Sequence, residues 1–106
     1  MTNITFYKRD KAYIGFEISG HSGYADKGSD IVCAAISAVT EYMLEYLQTY
    51  CIKLVNFSVE DQSTYICVMA NKPDTDVSNH IYIMHSTFIQ LLSQYDKFIN
   101  IQVKEV

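Results

Sequence analysis

Gly20-His21-Ser22-Gly23-Tyr24-Ala25-Asp26-Lys27-Gly28-Ser29-Asp30-Ile31-Val32-Cys33-Ala34-Ala35 holds three of the chain's four glycines, one of its three histidines and one of its three cysteines. Up to Ser29 the residues are polar and glycine-rich, which suits an exposed loop rather than a helix or strand. From Ile31 an apolar periodic run begins, so the stretch reads as a loop that delivers a helix. A histidine stands at the start of the loop and a thiol in the helix's first turn. Those are the two side chains that a Cys-His active site requires.

On the N-terminal side, Ala12 to Ser19 sets Ile14, Phe16 and Ile18 on one face of a strand and Tyr13, Gly15 and Glu17 on the other. Ile4 to Lys8 is a second β-rich run, separated by the polar break Arg9-Asp10-Lys11, and the pair predicts a β-hairpin. The second strand ends at Ser19-Gly20, so His21 sits at a strand terminus. On the C-terminal side, Ser29 or Asp30 can cap a helix running to Tyr50. Val32, Ala35, Ile36, Val39, Met43, Tyr46 and Tyr50 form its inward stripe, with Cys33 and Ser37 one turn apart on a flank.

Beyond Cys51 the period shortens. Lys53 to Glu60 reads as a strand, Asp61-Gln62-Ser63 as a turn, and Thr64 to Ala70 as the returning strand. Asn71-Lys72-Pro73-Asp74 breaks the chain, because Pro73 lacks a ladder donor. A second helix is predicted from Ser78 to Tyr95, with Ile81, Met84, His85, Phe88, Leu91 and Leu92 inward, and Phe98 to Val106 alternates as a last strand. The order is ββαββαβ. Two helices with single apolar stripes need an apolar sheet face to cover, which predicts an α+β two-layer domain with a mainly antiparallel sheet. Residues 1–106 are expected to form a single domain, with no linker or repeat.

Composition narrows the function classes. A hydrophobic fraction of 49%, with nine Tyr and five Phe, excludes disorder. No apolar run approaches the roughly 20 residues of a membrane span, and Met1 to Asp10 lacks a signal peptide's apolar core. A cytoplasmic, soluble protein is expected, with no membrane partner. Three widely spaced cysteines without a CxxC indicate neither disulfides nor a cysteine zinc site. Net charge is −4 and the basic residues are scattered, which disfavours direct nucleic-acid binding. His80 and His85 are five apart, not at the step that puts two metal ligands on one helix face, so core or surface roles are assigned and no cofactor is expected.

The chemistry follows from the central stretch. The thiolate is the competent nucleophile, and the positive end of a helix favours that anion at Cys33. His21 can take the thiol proton and return one to a departing amine, as general base and then general acid. Backbone N–H groups around Cys33 are expected to stabilise the oxyanion. Asp30 is read as an N-cap rather than a triad member, since a negative charge beside Cys33 opposes the thiolate. Ser37 is placed to hydrogen-bond and orient the pair. Cys51 and Cys67 are assigned to packing, and Tyr42, Tyr46 and Tyr50 to core and dimer surface. Pattern alone leaves rival readings open: a buried Cys33 with no chemistry, a non-catalytic binding module, or a redox-sensing thiol.

Gly20-His21-Ser22-Gly23-Tyr24-Ala25 followed by Gly28-Ser29-Asp30-Ile31-Val32-Cys33-Ala34-Ala35-Ile36-Ser37 resembles the signature of the bacterial ribosomal-processing cysteine protease family, also called Prp. The Gly-His pair, Gly28, the Asp-Ile-Val-Cys run and the spacing from His21 to Cys33 coincide, as do chain length and element order. Ser22 stands where alanine is common in that family, a small-for-small change expected to leave the dyad untouched. The resemblance implies a homodimeric cytoplasmic endopeptidase that removes the N-terminal extension of a large-subunit ribosomal protein. It makes Cys33 the nucleophile and His21 the base, with Asp30 and Ser37 in support. It also makes the segment carrying Gly20, Ser22, Gly23, Tyr24, Gly28 and Ser29 a substrate-gating loop. Because the family's extension ends in apolar and aromatic residues, it further implies an apolar groove beside Cys33.

Overall fold

The computed structural model describes residues 1–26, 30–60 and 65–106. Gly28 and Ser29, the expected Asp61-Gln62-Ser63 turn and Thr64 lie outside them. In chain order the elements are β1 (Thr2–Arg9), β2 (Ala12–Ser19), α1 (Ile31–Tyr50), β3 (Val55–Glu60), β4 (Tyr65–Ala70), α2 (Thr75–Leu91), a 3-10 turn (Ser93–Tyr95) and β5 (Ile99–Glu105). The order ββαββαβ holds. Five strands form one mixed sheet in the order β3-β4-β2-β1-β5, antiparallel except where β5 lies parallel to β1.

That strand order explains why both helices are needed. The antiparallel pairings make β2 parallel to β3 and β4 parallel to β5, so each of those connections crosses the sheet through a helix. The two crossovers run in opposite directions along the sheet from strands that point oppositely. The right-handed rule then puts both helices on the same face. One core results, in which Ile4 and Phe6 of β1, Phe16 and Ile18 of β2 and Val68 of β4 meet Val32, Ile36, Met43 and Leu47 of α1 and Val77, Ile81, Met84 and Phe88 of α2.

Local chemistry fixes the details. In the β1–β2 hairpin the register shifts after Tyr7↔Gly15, so that Lys8 faces Tyr13 and Ile14 is the extra residue. Gly15 is required here, because an added Cβ would lie 2.4 Å from Val68 O on the neighbouring strand. The second helix starts earlier than its apolar spacing suggests, at Thr75 rather than Ser78. The Asp74 side chain accepts from Val77 N at 3.0 Å and caps it, and Val77 is fully buried. It also stops earlier, with Leu92 N closing on Phe88 O before the 3-10 turn, which leaves Leu91 exposed.

The inward stripe of α1 is rotated slightly from the expected one. Thr40 and Leu47 are buried, whereas Tyr50 is exposed. Thr40 is tolerated inside because its hydroxyl donates to Ile36 O at 2.7 Å. His85 is half-buried, with Nδ1 3.0 Å from the Tyr13 hydroxyl and its ring 4.7 Å from that of Phe6, which fits a core role. His80 stacks on Tyr46 at 3.8 Å and contacts Asp76, a surface role. Tyr46 is held by the Asp76 carboxylate at 2.9 Å, and Tyr42 projects into solvent.

Candidate active site

The end of β2 and the start of α1 meet at one cleft. β2 stops at Ser19, and Gly20 turns the chain with φ 86°, a left-handed conformation that favours glycine. A Cβ there would sit 2.7 Å from Met1 O, so the turn also needs the missing side chain. His21 follows directly and is exposed at the cleft. On the other side, Asp30 is extended (φ −82°, ψ 99°) and caps α1, its Oδ1 accepting from Cys33 N at 2.9 Å. Cys33 is the third residue of the helix and half-buried.

The cleft has a volume of about 640 Å³, within the usual range for ligand-binding cavities. His21, Gly20, Gly23, Asp30, Cys33 and Ser37 line it at one end. Ile18, Ile36, Leu44, Val59 and Ile66 supply an apolar floor and wall, with Glu41 and Glu60 also at the lining. The structure thus brings His21 and Cys33 into one cavity. Among the described residues no hydrogen bond joins the His21 ring to the Cys33 thiol. Resting geometry of that kind is common where a catalytic contact tightens on ligand binding. Ser37 forms part of the wall one turn beyond Cys33, without a hydrogen bond to the thiol.

Two expectations change. The Cys33 N–H belongs to the Asp30 cap and Ala34 N donates to Asp30 O at 3.0 Å, so neither is available to an oxyanion. Nor is Ser22 a neutral replacement. It is buried behind the cleft, its hydroxyl donates to Asp30 Oδ2 and lies 3.5 Å from Cys33 Sγ, and its N–H donates to the same sulfur at 3.5 Å. Size matching hid this contact in the sequence; the signal was a hydroxyl beside the histidine with a capping aspartate further along. Tyr24 turns away from the cleft and packs edge-on against Tyr95 and Phe98, at 5.4 and 5.1 Å.

The Asp30 carboxyl is more acidic than an ordinary aspartate. Burial pushes its carboxyl up, but hydrogen bonds from the Ser22 hydroxyl, from Cys33 and from the Ala25 N–H outweigh burial and hold it at about 2, against an ordinary 3.8. Because the folded-state value is depressed, the stabilisation is present above the ordinary value and is lost as pH falls through about 2. Asp30→Asn should therefore cost stability at neutral pH, and the gap from the parent should close on acidification over that window. Urea unfolding at stepped pH checks this; a gap independent of pH would contradict it.

The three thiols also differ. Burial pushes the Cys51 thiol up, and hydrogen bonding to Asp76 adds to it. Burial likewise raises Cys67, with Glu17 adding and a Tyr65 hydrogen bond opposing. Cys33, at the cleft, should react with iodoacetamide at neutral pH at least about tenfold faster than either. Peptide mass mapping over time checks the order, and preferential labelling of Cys51 or Cys67 would contradict it. Among the described residues no cluster of His, Cys, Asp and Glu is placed to hold a metal ion, and no helix is long and apolar enough to cross a membrane.

Comparison with known proteins places the chain in a family. The profile of the family described as cysteine protease Prp matches residues 1–100. The ribosomal processing cysteine protease Prp of Bacillus subtilis (strain 168) is 47% identical over 30 residues, a match that spans 28% of this chain and 27% of that protein. Among solved structures, the ribosomal processing protease Prp from S. aureus with a covalently linked product peptide superposes with a TM-score of 0.89 at 18% identity, covering 98% of this chain and 100% of that one. The same S. aureus protease with a substrate peptide gives 0.79 at 19% identity, over 98% and 100% of the two chains. SMU.848 from Streptococcus mutans gives 0.82 at 22% identity, over 100% and 96%. These structural likenesses establish the fold, and the family profile spans nearly the whole sequence. The chain belongs to the cysteine protease Prp family.

Proposed function

We propose that this protein is a cysteine endopeptidase that removes the N-terminal extension of a large-subunit ribosomal protein, acting in the cytoplasm as a homodimer. The observation that carries the reading is the thiol of Cys33 at the first turn of α1, opening on a cleft that His21 also lines, in a chain of the Prp family. The S. aureus relative is known with both a substrate peptide and a covalently linked product peptide. The apolar lining beside Cys33 suits an extended segment with apolar or aromatic side chains.

The chemistry is acyl transfer in two halves. His21 takes the proton from Cys33, the sulfur attacks the scissile carbonyl carbon, and the carbonyl oxygen becomes an oxyanion facing the helix's first turn. As the oxyanion collapses the C–N bond breaks, and His21 returns its proton to the departing amine. Water, deprotonated by His21, then attacks the thioester; the C–S bond breaks and the thiol is restored. Asp30 holds the first turn of α1 in place around the nucleophile. Ser37 is assigned to the wall of the substrate cleft.

The direct test is to incubate the protein with a ribosomal protein bearing its N-terminal extension and read intact mass before and after. A single cut between the extension and the body is expected. An intact substrate that nonetheless binds tightly would move the assignment to a non-catalytic assembly module.

A further inference from the structure

Ser22 is 3% exposed, and its hydroxyl is surrounded by groups of the site. It donates to Asp30 Oδ2, accepts from Tyr24 N at 3.2 Å, and lies 3.5 Å from Cys33 Sγ. A serine hydroxyl has one proton and two lone pairs. A hydrogen bond to an ionised carboxylate is about twice as strong as one between neutral groups, so the proton is fixed on the Asp30 side. The oxygen then meets sulfur only as an acceptor. An acceptor favours the S–H form over the thiolate.

We infer that Ser22, locked by Asp30, is a positioning residue that holds the Cys33 thiol in its protonated resting form until His21 takes the proton. Its geometry stands by itself, whereas its catalytic consequence rests on the protease reading above. In the activation step the S–H bond breaks, an N–H bond forms on the His21 ring, and the Ser22 oxygen loses its donor. Asp30 stays ionised throughout the neutral range, so the lock holds wherever the enzyme works. The Ser22 N–H remains as a donor to the sulfur in both states.

The other titratable groups at the cleft are His21 after β2, Glu41 on α1, Glu60 on β3 and Tyr65 on β4. Their influence on Cys33 is common to the parent and to every Ser22 variant, so it cancels in a comparison. Asp30 does not cancel, because it touches Ser22 directly. In Asp30→Asn the amide no longer claims the hydroxyl proton. Ser22 is then free to turn and donate to the thiolate.

The experiment is the rate of iodoacetamide alkylation at Cys33 across pH, read by peptide mass mapping, with peptide cleavage measured alongside. Ser22→Ala should alkylate about 2- to 10-fold faster than the parent at neutral pH, the range that one neutral hydrogen bond supplies. Ser22→Thr should restore the parent rate. In the Asp30→Asn background the sign should reverse, with Ser22→Ala now slowing the reaction, which decides the matter even if the threonine variant does not fold. Ser22→Ala no faster than the parent, or faster in both backgrounds, would overturn the inference. The expected alkylation pattern with no peptide cleavage would instead retain Ser22 and refute the protease reading.

Discussion

Cys33→Ala should lower kcat/KM for a peptide spanning the processing junction by at least about 10³-fold, with the fold intact. Without the sulfur no thioester forms, and a cleft with only a base and backbone donors must rely on direct attack by water. His21→Ala should cost a similar amount, because an uncharged thiol attacks poorly. Removing both should cost little more than removing either, since the two side chains act on one step. Steady-state kinetics of the three variants, with circular dichroism to check folding, measures this. If Cys33→Ala keeps more than a tenth of the activity, another group carries the reaction.

The largest expected effect on stability lies on β2, the strand that leads to His21. Phe16 is fully buried between Phe6 on β1 and Val68 on β4, its neighbours across the sheet. Phe16→Ala removes a ring from a core that two helices cover, and should destabilise by about 3–5 kcal/mol. That is a large share of the roughly 5–15 kcal/mol that holds a domain of this size. Tyr42→Ala, on the exposed face of α1, should stay within about 0.5 kcal/mol of the parent. Denaturant midpoints of the two variants give the comparison; equal losses would place the core elsewhere.

What the sequence made legible was the part governed by local physics. The period-two run from Ala12 to Ser19 and the cap at Asp30 bracket the site, and both elements stand where their patterns put them, although the bulge at Ile14 brings Tyr13 onto the core face beside Phe6 and His85. Thr40 escaped because a hydroxyl breaks an apolar stripe, and only its bond to Ile36 O explains its burial. Val59 shares parity with Val55 yet is half exposed, because β3 is the sheet's edge and its far end borders the cleft rather than the core. The parallel pairing of β5 with β1 depends on a crossover over two strands, which no local period records.

The site shows the same division. Cys33 and His21 stand out in the sequence because their residue types and neighbours carry chemistry, and the structure sets both at one cleft. Ser22 could not be valued, because its role depends on the turn at Gly20 placing its hydroxyl between a carboxylate and a sulfur. Side-chain volume, the property by which it passes for alanine, is irrelevant to that contact.

The most direct measurement of the central claim is capture of the covalent intermediate. The protein is mixed with a peptide spanning the processing junction, quenched in acid within the first turnovers, and digested for mass mapping. The account predicts a thioester joining the N-terminal fragment to the peptide that contains Cys33, and its absence from Cys33→Ala. Rapid cleavage with no acyl adduct on Cys33 at any time point would contradict it.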